Sequence, residues 1–186
     1  MFDGVTIRRL EPGESAACLD GLVALLIDCV EGGASVSFMH PMTADKSMRF
    51  WRAVADGVAR GERALLVAED DTGQVVGTVQ LILAQPENQP HRADVAKMLV
   101  HRRARHRGIA RRLMEAVEDA ARDEGKSVLV LDTVSGSDAA RLYARAGWQR
   151  VGEIPDYALM PDGPFCATTI FYKAIAPEQP RNGGRT

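Results

Sequence analysis

Residues 101 to 112 read His-Arg-Arg-Ala-Arg-His-Arg-Gly-Ile-Ala-Arg-Arg, which puts six of the chain's 23 lysines and arginines in one short run without an acid. The run falls between a stretch that reads as a strand and one that reads as a helix. A helix start offers unpaired N–H groups and partial positive charge, and so holds anions. Gly108 and Ala110 leave the backbone uncovered there, so a phosphate can touch it. Arg105-x-x-Gly108-x-Ala110 therefore reads as a pyrophosphate cradle. Two plainer readings stand beside it, a solvated charge run and a nonspecific nucleic-acid contact. Two acids flank the run. Asp94 lies in the strand before it, and Asp132 ends the apolar strand Val128 to Leu131. Strand ends beside a parallel-sheet crevice are where α/β proteins bind ligands.

The elements that must position these groups follow from periodicity. Val5 to Leu10 reads as a strand. Ser15 reads as the cap of a helix whose stripe is Cys18, Leu22, Leu25, Leu26 and Cys29, ended by Gly32 and Gly33. Gly32 to Met42 is a loop. Thr43 caps a second helix with Met48, Trp51, Ala55 and Val58 on one face. Ala64 to Ala68 and Gln74 to Ala84 form a hairpin about Asp70-Asp71-Thr72-Gly73. Arg92 to Val100 is a strand and Gly108 to Glu124 a helix. Ser127 to Thr133 is a buried strand, and Ser137 caps a short helix to Ala146. Trp148 to Ile154 and Thr168 to Ile175 are the last strands. A long loop, Pro155 to Ala167, separates them. This order predicts an α/β fold, one central mixed sheet flanked by helices on both faces, whose parallel part is the strand around Leu99 and the strand around Val130.

At 186 residues the chain is long enough for one self-sufficient core. We expect a single domain over residues 1–175 and a flexible tail over 176–186, which is rich in Pro, Gly and polar residues. A net charge of −2 argues against a general nucleic-acid binder, as does the lack of any aromatic residue in the basic run. The odd set Cys18, Cys29 and Cys166 has no C-x-x-C pairing, so neither a disulfide framework nor a metal site is expected. No signal peptide or membrane span is legible, which predicts a cytoplasmic protein without a membrane partner. The C-terminal strand is a candidate for pairing in a homodimer.

Three stretches together resemble the GNAT superfamily of N-acetyltransferases: Val95-Ala-Lys-Met-Leu-Val100, Arg105-x-x-Gly108-x-Ala110, and Leu142-Tyr143-x-x-x-Gly147-Trp148. Within it the chain looks most like the tabtoxin-resistance group, on Gly32 to Met39, Arg92-Ala-Asp-Val-x-Lys97, Leu131-Asp-Thr133, and Arg150-Val-Gly-Glu-Ile-Pro-x-Tyr157 with Pro161-Asp-Gly163. The resemblance implies acetyl-CoA as cofactor. Its pyrophosphate would lie on Arg105, His106, Arg107, Gly108, Ile109 and Ala110, and its pantetheine along Met98, Leu99 and Val100. Many members carry an Asn seven residues before the tyrosine. Here that position is Gly136, so contacts on that side fall to Ser137 and Arg141.

Acetyl transfer to an amine requires that the amine lose a proton, that the oxyanion meet a donor and that the thiolate be stabilised. The resemblance makes Asp94 and Asp132 the base or amine-orienting pair and Tyr143 the acid. A backbone N–H near Met98 or Leu99 is the simplest oxyanion donor. Ser35, Phe38 and His40 in one loop and Tyr157 in the other are candidate acceptor-binding residues. The acceptor implied is a small-molecule amine, amino-acid-like or a β-lactam toxin. A protein N-terminus or lysine, and a non-catalytic acyl-CoA-binding module, are the alternatives.

Overall fold

A computed structural model of the chain describes residues 4–176. The first elements are β1 (Thr6–Arg9), α1 (Leu19–Glu31), α2 (Ala44–Ala59), β2 (Arg63–Glu69), β3 (Val75–Ile82) and β4 (Arg92–Val100). They are followed by α3 (Ile109–Asp123), β5 (Val128–Val134), α4 (Asp138–Arg145), β6 (Gln149–Leu159) and β7 (Phe165–Ala174). Single 3-10 turns occupy Glu14–Ala16 and Arg102–Ala104. The expected tail lies outside the described residues apart from Ala176.

The strands form one mixed sheet in the order β1-β2-β3-β4-β5-β7-β6, covered by helices on both faces. β2 shows why its sequence is apolar throughout. Leu65 and Val67 turn to one face, where they meet Leu22, Leu25, Leu26, Trp51 and Val54 of α1 and α2. Ala64, Leu66 and Ala68 turn to the other, among Ile109, Leu113, Met114 and Val117 of α3. A strand covered on both sides has no solvent face to alternate toward.

β4 is parallel to β5 only from Arg92–Asp94 against Val128–Val130. The two strands expected to be parallel are so, but their pairing is short and does not reach Leu99, because they separate after Asp94. On its other edge β4 stays antiparallel to β3, but the register steps from Thr78↔Leu99 to Gln80↔Ala96. That is one extra residue in β4, and Lys97 sits there in the left-handed region at φ +52°.

Three further expectations are corrected. Cys18 rather than Ser15 precedes α1, because Ser15 belongs to the preceding 3-10 turn, where its buried hydroxyl has no partner among the described residues. The loop expected over 155–167 is mostly strand. β6 continues to Leu159 and β7 begins at Phe165, with Met160 N–H donating to Pro164 O at 2.8 Å across the turn. Pro155 fits there because β6 is an edge strand, where a missing N–H breaks no inner ladder. The C-terminal strand β7 has β5 and β6 on its two sides, so it has no open edge for a partner copy.

Candidate active site

The separation of β4 from β5 opens a cleft of about 990 Å³. Its floor is Val95 to Val100 of β4. Its sides are the start of α3, the end of β5 with α4, the Gly32 to Met39 segment, and Tyr157 to Met160 of β6.

The cradle lies at one end. Gly108 precedes α3 at φ +76° with nothing within 4 Å of where a Cβ would stand, and His106 is also left-handed at φ +62°. Among the described residues, the N–H groups of Gly108, Ile109, Ala110 and Arg111 have no acceptor, whereas Arg112 N–H already bonds Gly108 O at 3.2 Å. Consecutive free N–H groups at a helix start form an anion site. Arg105, His106, Gly108, Ile109 and Ala110 line the cleft, and Arg107 does not.

β4 supplies the second feature. His101 N–H donates to Val76 O on the β3 side at 2.9 Å. By strand alternation, Val100 turns its polar groups the other way, where its carbonyl accepts from Arg105 Nε at 3.3 Å. Met98, Leu99 and Val100 all line the cleft. Cys29 lies beneath, its Sγ 3.6 Å from Val100 O, and burial pushes its thiol up to about 11.

At the far end stand Asp132 and Tyr143. Ser137 accepts from Ala140 N–H at 3.1 Å and starts α4, which carries Tyr143 to the cleft wall. The ring packs on Trp148 and Phe171 with centroids 6.1 and 6.0 Å away. Its hydroxyl has no hydrogen-bond partner among the described residues. Burial, and after it the charge of Asp132, pushes the phenol above its ordinary pKa. The Tyr143 hydroxyl is therefore a protonated group held beside a carboxylate.

Other candidates are placed differently. Asp94 does not line the cleft. Its oxygens are taken by Arg92 and by Gln85 Nε2, the latter at 3.1 Å. Arg141 turns away to Asp138 and to Gly136 O, while Ser137 does line the cleft. His40 is also outside it, with Nε2 at 2.8 Å from Val30 O. Ser35, Phe38 and Tyr157 line the cleft. Ser35 Oγ donates to Leu159 O at 3.1 Å and His40 N–H to Pro161 O at 3.0 Å, so the α1–α2 segment is tied to the β6–β7 hairpin. Sequence reasoning missed Lys97 and Ser37, whose Nζ and Oγ are 3.1 Å apart in this end of the cleft. One signal was available: Lys97 is the only charged residue in an otherwise apolar half-strand.

Among the described residues no cluster of His, Cys, Asp or Glu is placed to hold a metal ion, and no helix is long and apolar enough to cross a membrane. The Acetyltransferase (GNAT) family matches residues 28–148. An uncharacterized N-acetyltransferase from the hisH–hisA intergenic region of Azospirillum brasilense is 33% identical over 130 residues, 69% of this chain and 74% of that protein. The N-acetylaspartate synthetase of Danio rerio is 36% identical over 88 residues, 47% of this chain and 30% of that protein. A putative acetyltransferase from Salmonella typhimurium, solved with its cofactor acetyl-CoA, superposes with a TM-score of 0.73 over 98% of this chain and 100% of that one, at 18% identity. The match spans the β4 floor, the free N–H row and the α4 tyrosine, and the chain belongs to the GNAT family as an acetyl-CoA-dependent acetyltransferase.

Proposed function

We propose that the chain acetylates a primary amine of a small molecule, and that the acceptor is amino-acid-like, the class that includes β-lactam toxins of the tabtoxin type. One observation carries the reading: a single cleft joins the free N–H groups of Gly108 to Arg111 to the Asp132–Tyr143 pair. The residues fit acetyl-CoA. The N–H row, with Arg105 beside it and no acid in the run, suits a pyrophosphate. The outward edge of Met98 to Val100 suits the amides of a pantetheine arm. Acetyl-CoA, when bound, supplies the acetyl group as a thioester.

The chain's own groups then divide the work. Asp132 accepts a hydrogen bond from the acceptor ammonium and orients it, and the lost proton leaves through water. The outward N–H groups of Met98 and Val100 face the developing oxyanion. Tyr143 holds a proton on its hydroxyl for the departing sulfur. The tie between the α1–α2 segment and the β6–β7 hairpin roofs this end of the cleft, which suits a small acceptor better than a protein chain. The test is release of coenzyme A thiol from acetyl-CoA across a panel of primary amines. Turnover that depends on one small amine supports the reading. Turnover only with peptide N-termini or protein lysines overturns it.

A further inference from the structure

The acceptor end of the cleft contains a cation that acetyl transfer does not require. The extra residue in β4 throws the Lys97 side chain toward the α1–α2 segment. There its Nζ donates to Ser37 Oγ at 3.1 Å and stands 5.9 Å from the centre of the Phe50 ring. Neither partner is a carboxylate, and among the described residues Lys97 has no ion-pair partner. Burial lowers its pKa, the charge of Asp132 offsets part of this, and the charge of Arg63 adds to the lowering. Arg63 is unpaired in the same sense. Its guanidinium bonds the neutral Gln80 side chain at 3.0 Å, and its buried Nε has no acceptor among the described residues. Lys97 thus lines the acceptor end of the cleft with Arg63 behind it, and one carboxylate, Asp132, lines the same end.

Lys97 is half-buried and has no counter-ion of its own, so a ligand group of opposite charge placed there meets an uncompensated cation and is favoured. A ligand that neutralises Lys97 while offering an amine to Asp132 must carry both signs of charge. We propose that Lys97 binds a carboxylate of the acceptor, so that the acceptor is an amino acid or a close relative with its anionic group free. The proposal rests on the small-amine reading above and names the chemistry of its substrate. It assigns Lys97 to recognition and leaves the proton transfers to Asp132, water and Tyr143. Arg63 contributes field rather than contact, because its guanidinium is not part of the cleft lining.

The test uses the full chain, acetyl-CoA and a panel of the common α-amino acids, each paired with its carboxamide and its decarboxylated amine. For the best acceptor, kcat/KM for the free acid exceeds that for the amide by about tenfold or more, the worth of one hydrogen bond to a charged group, and the difference lies in KM. Lys97→Met brings the acid-to-amide ratio to within about threefold of one, whereas Lys97→Arg keeps most of the preference. An amide or amine that is used as well as its acid overturns the proposal, with no variant needed. A Lys97→Met enzyme in which kcat falls equally for acid and amide at unchanged KM also overturns it, because Lys97 then acts on the reaction. Calorimetry with acetyl-CoA separates the two readings. Loss of cofactor binding in the wild type removes the proposed function itself, whereas binding without any preference for the acid removes only the role of Lys97.

Discussion

Tyr143 is the side chain whose surroundings say most about its use. Its ring is buried while the residue lines the cleft, its hydroxyl has no partner among the described residues, and Asp132 is near enough to act on it electrostatically. Its raised pKa fixes the direction of any pH effect. The protonated form is favoured, so ionisation of Tyr143 does not limit activity below its reference value of about 10. Tyr143→Phe keeps the ring against Trp148 and Phe171 and removes only the hydroxyl. We expect kcat to fall by at least about tenfold, within the roughly 10²- to 10⁴-fold that general acid help supplies, while the melting temperature hardly moves. A sharp drop in melting temperature with kcat unchanged would make Tyr143 a packing residue. Asp132 answers to a different measurement. Asp132→Asn keeps the shape and removes the charge that orients an ammonium, so the acceptor KM should rise while acetyl-CoA affinity holds. Wild-type kinetics in that variant would remove Asp132 from the acceptor site.

Those two side chains are only as well placed as α4 and β5 make them. α4 has eight residues, too few to hold itself together, so its start matters. Ser137 accepts from Ala140 N–H at 3.1 Å, and loss of such a cap costs about 1 kcal/mol. Ser137→Ala should therefore lower the melting temperature by about 2 to 4 °C and lower kcat through Tyr143, as turnover and calorimetric melting would show. This cap was legible in the sequence, as were β4 from Arg92 to Val100 and the glycine that opens α3, because each has a local cause. What stayed hidden has non-local causes. Pro155 reads as loop until β6 proves to be the edge of the sheet, where a proline does no harm, whereas Pro161 and Pro164 do lie in the short turn that remains. Asp94 looked like a partner for Asp132 through the resemblance, although the plainer pairing with Arg92, two residues earlier on the same strand face, was open in the sequence and is the one formed; the hold by Gln85, from the loop before β4, was not. Lys97 is aimed by a register step between β3 and β4, a property of two strands that neither encodes alone.

In the whole molecule, the cleft separates two otherwise continuous halves. Beyond Asp94 no strand ladder joins β4 to β5, so the β1–β4 half and the β5–β7 half are joined by a short parallel pairing, the covering helices and the tie between the α1–α2 segment and the β6–β7 hairpin. A ligand lying against the α3 start, the β4 edge and α4 contacts both halves at once. It binds the folded chain and not the unfolded one, so it must raise stability by mass action. At a hundred times its dissociation constant the gain is about 2.7 kcal/mol, which for a chain of this length is roughly 5 to 10 °C in melting temperature. Acetyl-CoA should produce that shift and inorganic phosphate a smaller one, as read by scanning calorimetry over a ligand series. Gly108→Glu sets a carboxylate where the N–H row meets its anion and forces a side chain onto a backbone at φ +76°. The variant should melt somewhat lower without ligand and show almost no acetyl-CoA shift. If the shift persisted at full size in Gly108→Glu, the cofactor would be held elsewhere, and the free N–H groups at the start of α3 would be an ordinary solvated helix end.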